Sequence, residues 1–272
     1  MKVCYVPNKE MTEIIKISVR NLVEFILREG DIDNRTGTLA DKEAMQLGSK
    51  IHRKIQRQMG ADYHAEVPLK ILVPCGGFDL QVEGRADGII EGEEVTIDEI
   101  KGVFRELKVI EEPVGVHLAQ AKCYAYIYGS QQKLKQISVQ MTYCNMETEE
   151  IKRFKQSYSL KELEKWFYEI VEEYKKWAEF QVEWRKTRNN SIKKVEFPYK
   201  YREGQRNLTT SVYKTILRKK KLFIQAPTGV GKTMATVFPA VKAVGEKLGE
   251  KIFYLTAKTI TRTVAEQAFQ IL

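Results

Sequence analysis

Ala226-Pro-Thr-Gly-Val-Gly-Lys-Thr233 is a glycine-rich loop ending in a lysine and a hydroxyl. An apolar run, Leu222-Phe-Ile-Gln225, predicts a buried strand entering the loop, and Met234 to Val244 predicts a helix leaving it. Glycines let a backbone wrap closely, so the N–H groups of Thr228, Gly229, Val230 and Gly231 can converge on phosphate oxygens. Lys232 would then reach the β- and γ-phosphates, and the Thr233 hydroxyl suits Mg²⁺. The expectation is a nucleotide site in a P-loop α/β domain. The sequence continues for 39 residues past Thr233 with no acidic strand end for Mg²⁺ and water, so the nucleotide site is expected to be incomplete.

Working outward, charge is unevenly spread over the 272 residues. Residues 191–272 carry 16 Lys/Arg against 5 Asp/Glu, a net of +11, while residues 1–190 carry 29 against 31, a net of −2. A basic C-terminal part bearing a phosphate loop points to a polyanion partner beyond the nucleotide. No run of eighteen apolar residues and no basic-then-apolar leader is found, so neither a membrane span nor a signal peptide is expected. Cys4, Cys75, Cys123 and Cys144 are scattered without a paired spacing. That fits a reducing, cytoplasmic setting with ordinary buried thiols.

A polar, charged stretch over 185–196 reads as a linker between a first domain at 1–184 and a second at 197–272. Before it, Leu160 to Trp184 predicts a long amphipathic helix whose tryptophans, Trp166, Trp177 and Trp184, read as core packing. Further upstream, helices are predicted over Ser18–Arg28, Ala40–Gln58 and Pro113–Gly129. Strands are predicted over Glu66–Val73, Phe78–Ile90, Glu94–Ile100, Gln136–Cys144 and Ile151–Ser157. The first domain is therefore expected to be α/β with a mixed sheet flanked by helices.

Two strand ends in that domain carry chemistry. Gly84-Arg-Ala-Asp87 ends one, and Ile97-Asp-Glu-Ile-Lys101 ends the next. Alternation puts Glu99 and Lys101 on one face and Asp98 and Ile100 on the other. If the strands pair, Asp87 sits beside Glu99. Two carboxylates next to a lysine suit a hard cation and metal-assisted phosphodiester hydrolysis, with Lys101 orienting water or offsetting charge on phosphorus. Gly48-Ser-Lys-Ile-His52 precedes them on a helix, where His52 offers a nitrogen ligand. Gln120-Ala-Lys-Cys-Tyr124 follows, with two polar side chains on one helical face.

This ordered set resembles the RecB-like branch of the PD-(D/E)XK nuclease superfamily over roughly residues 18–145. The resemblance implies His52, Asp87 and Glu99 as ligands of Mg²⁺ or Mn²⁺, with the Ile100 carbonyl as a further one. It implies Lys101 as the catalytic lysine and Gln120 and Tyr124 as its supporting pair. Some relatives add a four-cysteine iron–sulfur cluster, and nothing in this sequence matches it.

Flanking the phosphate loop, Phe197-Pro-Tyr-Lys-Tyr-Arg-Glu-Gly-Gln205 offers aromatics to stack on a base and an amide to read it. Lys251-Ile-Phe-Tyr-Leu-Thr-Ala-Lys-Thr259 reads as a strand ending in hydroxyls and a lysine, suited to a nucleic-acid backbone. These blocks resemble the Q motif, Walker A and motif Ia of superfamily-two helicases, closest to the DinG/XPD branch with its RecA-like motor. The resemblance implies that Tyr199 or Tyr201, with Arg202 beside them, flanks adenine while Gln205 reads it. It implies Lys232 and Thr233 on MgATP, and Thr256, Lys258 and Thr259 on single-stranded DNA or a single-stranded tail. The reading is a DNA nuclease–helicase of repair or processing. A silent nuclease fold that only guides single strands is the rival, and a non-helicase P-loop ATPase is disfavoured by Gln205 and by Thr256 to Thr259.

Overall fold

The computed structural model describes residues 13–28, 39–257 and 259–272. The chain divides into two compact units, Met1–Glu179 and Phe180–Leu272. The first is mixed α/β. Its strands are β1 (Glu13–Ser18), β2 (Tyr63–Pro74), β3 (Phe78–Glu91), β4 (Val95–Val103), β5 (Gln136–Asn145) and β6 (Ile151–Ser159). The helices α1 (Val19–Ile26), α2 (Leu39–Gln58) and α3 (Gly115–Gln131) are interleaved with them. β1 is an addition to the sequence reading: only Ile15 and Ile17 alternate inward, too short a pattern to stand out.

Pairing explains where the sheet opens. β3 is long, and one of its edges is lined by antiparallel β2. The opposite edge is shared. Parallel β1 takes Phe78 to Glu83, and antiparallel β4 takes Gly88 to Glu91. Between them Gly84-Arg-Ala-Asp87 has no strand partner on that edge. β1 ends there because Ser18 turns the chain into α1, its hydroxyl accepting from the Asn21 N–H at 3.1 Å. Beyond β4 the sheet continues through parallel β5 and antiparallel β6, with α3 as the crossover between β4 and β5. Ile100 packs under α2 with Ile51, Ile55 and Cys144, whereas its neighbour Lys101 reaches Gln120 of α3. Alternation along β4 therefore places α2 and α3 on opposite faces of the sheet.

α4 runs from Leu160 to Lys194 without a break. The helix expected to stop at Trp184 thus continues through 185–194, the stretch read as a linker. Its end is held by Lys242, whose ammonium donates to the carbonyls of Ile192, Lys193 and Val195 at 3.4, 3.0 and 3.2 Å. A cation on terminal carbonyls satisfies groups that a helix end leaves open. The buried stripe of α4 is Leu163, Phe167, Ile170, Val171, Tyr174, Ala178 and Val182, not the tryptophans. Trp177 and Trp184 are exposed, and Trp166 lies under the Lys122 ammonium, 4.0 Å from its ring centre.

The second unit adds α5 (Gln205–Leu217), α6 (Lys232–Gly245) and α7 (Thr259–Ile271). Met234, Val237 and Ala268 form its apolar centre, with Phe197 and Phe238 packed against them. The strands expected at Leu222–Gln225 and Lys251–Thr259 are not formed among the described residues, and α7 already begins at Thr259. A strand is stabilised only by a hydrogen-bonded neighbour and a covered face, and these runs have neither: Phe223 is 94% and Leu255 90% exposed. No described helix is long and apolar enough to cross a membrane.

Candidate functional site

The stretch of β3 left open between β1 and β4 is where the candidate nuclease residues meet. Gly88 pairs with Asp98, and the register stops there. One position further, Asp87 and Glu99 face each other across strands that have parted. The Asp87 carboxylate fills the gap, its Oδ2 accepting from the Ile100 N–H at 2.8 Å. On the α2 side, His52 Nδ1 lies 3.4 Å from Asp87 Oδ1. One turn along the helix, Gln56 donates to the Asp87 carbonyl at 2.9 Å.

On the α3 side, Lys101 Nζ donates to Glu99 Oε1 at 2.8 Å and to Gln120 Oε1 at 3.1 Å. Tyr124, one turn after Gln120, reaches the Gln120 side chain and the Arg85 backbone. Burial, and then the nearby Glu99 charge, push its hydroxyl well above the usual tyrosine range. Gly84 makes room for that ring, since a Cβ there would lie 2.5 Å from the Tyr124 oxygen.

Glu99 is fully buried, and its second oxygen, Oε2, has no hydrogen-bond partner. Burial foremost, and then repulsion from Asp87, push its carboxyl up to about 8 against the pull of Lys101. A buried carboxylate with an empty oxygen is costly unless something binds it. A divalent cation at that oxygen, drawn also by the nearby Asp87 carboxylate, would meet the need, so these two carboxylates suit a cation's chemistry. They are not a finished cage. Among the described residues no three His, Cys, Asp or Glu side chains are gathered closely enough to hold a metal ion. The Lys101 and Ile100 contacts already engage one oxygen each of Glu99 and Asp87.

Asp98 does something else. Buried on the opposite face, it accepts from Thr142 at 2.5 Å, Gln140 at 3.0 Å and Tyr63 at 3.2 Å. Burial nevertheless pushes its carboxyl up. His117, near the start of α3, is held down to about 4 by burial and by Lys101, Arg105 and Arg20. It is therefore neutral near pH 7 and hydrogen-bonds the Tyr143 hydroxyl at 3.2 Å. Gln56 and His117 were not singled out in the sequence. Gln56 alone left a trace there, as the polar residue one turn after His52.

In the second unit, Gly229 and Gly231 take φ of +89° and +74°, conformations that favour glycine, and α6 starts at Lys232. The expected phosphate seat would lie at this helix N-terminus, whose N–H groups have no partners within the helix. Lys232 Nζ currently donates to the carbonyls of Ala226 and Pro227 at 2.9 and 2.7 Å. Gln205 is buried and bridges to the loop: its Oε1 accepts from the Arg202 N–H at 3.0 Å, and its Nε2 donates to the Gly231 carbonyl at 3.2 Å. The Arg202 guanidinium also donates to the Gly229 carbonyl. The amide expected to read a base ties its own segment to the loop before α6, leaving one N–H and one lone pair to offer.

Tyr201 stacks on Phe197 with centroids 4.1 Å apart, while Tyr199 stands 54% exposed. An open cavity of about 510 Å³ is lined by Gly204, Gln205, Leu208, Ile224, Pro227 and Val230, among others. Thr256 and Thr259 are exposed, and Lys258 lies outside the described residues. Cys75, Cys123 and Cys144 are separate buried thiols, and Cys4 also lies outside the described residues.

Residues 206–272 match the DEAD/DEAH box helicase family. A protein of Methanocaldococcus jannaschii named as a probable ATP-dependent helicase is 45% identical over 49 residues, an alignment spanning 18% of this chain and 8% of that protein. The crystal structure of SSO0001 overlaps 57% of this chain and 75% of its own, with 16% identity and a TM-score of 0.38. The C-terminal quarter of this chain is thus similar to a helicase nucleotide-binding segment.

Proposed function

We propose that the chain combines a metal-dependent DNA nuclease in its first unit with a nucleotide-binding segment of a DNA helicase in its second. The nuclease reading rests on one observation above the others: buried Glu99, with a free oxygen, stands between Asp87 and Lys101 where the sheet opens. The helicase reading is supported by the family match over residues 206–272 and by Gly229, Gly231 and Lys232 at the start of α6.

A divalent cation bound by Asp87, Glu99 and His52 would polarise a phosphodiester and lower the pKa of attacking water. The side chains of the chain itself have separable tasks. Asp87 is fixed by the Ile100 N–H, so its remaining oxygen faces His52. Lys101 is aimed by two acceptors, and its ammonium can take a phosphate oxygen as charge builds there. Gln120 restrains Lys101 when Glu99 is otherwise engaged. In the second unit, nucleotide phosphates would compete with the Ala226 and Pro227 carbonyls for Lys232. DNA strands would meet Thr256 and Thr259 through backbone phosphates.

The test is cleavage of end-labelled single-stranded DNA with Mn²⁺ or Mg²⁺ and no ATP. We expect the parent to cut and Glu99→Ala to abolish cutting. Lys101→Ala should slow it roughly 10²–10³-fold, the usual cost of losing one transition-state charge partner. Equal rates for all three would refute the nuclease assignment. A second reading, in which the first unit only guides single strands, is favoured by the lack of a ready three-ligand group among the described residues. A parent that binds strands with Mn²⁺ yet leaves them intact would support that reading instead.

A further inference from the structure

The described chain has five non-glycine residues with positive φ, and four have ordinary reasons for it. Lys133, Lys219 and Lys247 each follow the end of a helix, where the left-handed conformation closes the last turn, and Glu149 sits in the turn between β5 and β6. Glu66, at φ +57°, lies inside strand β2. It stands opposite Asp87: Ala65 pairs with Gly88 and Val67 with Ala86, while the 66–87 pair between them is missing from the ladder. Asp87 is thus freed from strand pairing on its β2 side as well as on its β4 side. Its carbonyl takes a donor from outside the sheet, Gln56 Nε2 at 2.9 Å. The same nitrogen lies 3.2 Å from Glu66 Oε1, while Glu66 Oε2 faces Arg85 at 3.4 Å.

We propose that Gln56 and Glu66 are positioning residues for Asp87, an inference that rests on the nuclease reading of this site. The left-handed turn of Glu66 breaks the ladder, Gln56 replaces the lost strand contact, and the Glu66 carboxylate fixes the Gln56 amide. α2 then grips Asp87 twice, through His52 at the carboxylate and Gln56 at the carbonyl. Strain of this kind inside a strand marks places where geometry serves a site. Partners that orient a ligand-bearing residue commonly change metal affinity 10- to 100-fold when removed.

The experiment is titration of the full chain with Mn²⁺ alone, read by the paramagnetic signal of free Mn²⁺, with Tm recorded for each variant. Gln56→Leu keeps bulk and removes the donor, and Glu66→Gln keeps shape and removes the charge. We expect Mn²⁺ affinity to fall at least about tenfold in Gln56→Leu and less in Glu66→Gln. Lys54→Ala, which removes an ion pair with Glu149 from the same helix, should bind as the parent does. For cleavage, kcat should fall in Gln56→Leu with KM for DNA unchanged. Parent-like Mn²⁺ affinity in Gln56→Leu, while Asp87→Asn loses binding, would overturn the positioning role and leave the nuclease site standing. An equal loss in Lys54→Ala would also overturn it, by tracing the effect to the helix as a whole. A parent that binds no Mn²⁺ would overturn both readings.

Discussion

At the scale of single residues, Glu99 is the buried carboxyl whose ionisation the site has to support. Its carboxyl is displaced to about 8, burial first and Asp87 second, despite an ammonium at 2.8 Å. The consequence for stability has a definite sign. Between the ordinary glutamate value, near 4.5, and about 8, the folded protein holds this proton and the unfolded chain does not. Stability therefore falls as pH rises through that window, by up to about 1.4 kcal/mol per pH unit, and levels off above it. With chelator present, the Tm of the parent is expected to drop between about pH 5 and pH 8 on account of this group, and Glu99→Gln to lose most of that drop. Saturating Ca²⁺ should flatten the parent curve as well, since a cation favours the ionised form. Scanning calorimetry across pH checks this; parallel curves for parent and Glu99→Gln would show that Glu99 does not carry the burden assigned to it.

At the scale of elements, the site depends on β3 lying close to α3 at Gly84. A Cβ there would meet the Tyr124 oxygen at 2.5 Å and its ring at 2.9 Å. Gly84→Ala should destabilise the fold by about 1–3 kcal/mol through overpacking, and Tyr124→Phe in the same chain should restore part of the loss. Urea unfolding of the two single variants and the double variant gives the coupling, and strict additivity would place the conflict elsewhere. The alternation of Phe78 to Ile90 and the Gly-Gly turn before it made β2, β3 and β4 readable. Glu99 and Lys101 were likewise legible as one face of a strand end. The opening in the sheet was not, because it arises from β1 and β4 sharing one edge of β3, a relation between segments distant in sequence. The same limit applied at 185–194, where polar residues read as a linker but are held helical through carbonyl contacts with Lys242. It applied again to Leu222–Gln225, whose apolar run carries strand propensity but finds no ladder among the described residues.

At the scale of the whole molecule, the decisive quantity is the distribution of charge. The surplus of +11 over residues 191–272 includes Arg218-Lys-Lys-Lys221, an exposed cationic run at the end of α5. The balance of −2 over residues 1–190 gives little long-range attraction for DNA. Non-specific binding to single strands follows counterion release, with a log–log salt slope of about −0.7 for each phosphate neutralised. Changing Lys219, Lys220 and Lys221 together to Ala in the full chain should therefore weaken binding at low salt and flatten the slope by up to about 2. Asp87→Ala should act the opposite way without divalent metal, binding slightly tighter because one charge that repels phosphate is gone. Ca²⁺ should raise the affinity of the parent more than that of Asp87→Ala, since cation and carboxylate act together there. Fluorescence anisotropy of a labelled oligonucleotide over a salt series, with and without Ca²⁺, measures all of these. Were the triple lysine variant to keep the parental slope, the cationic run would be a solvated surface with no part in binding. DNA affinity would then have to come from the other cationic residues of 191–272 or from short-range contacts at the opening of the sheet.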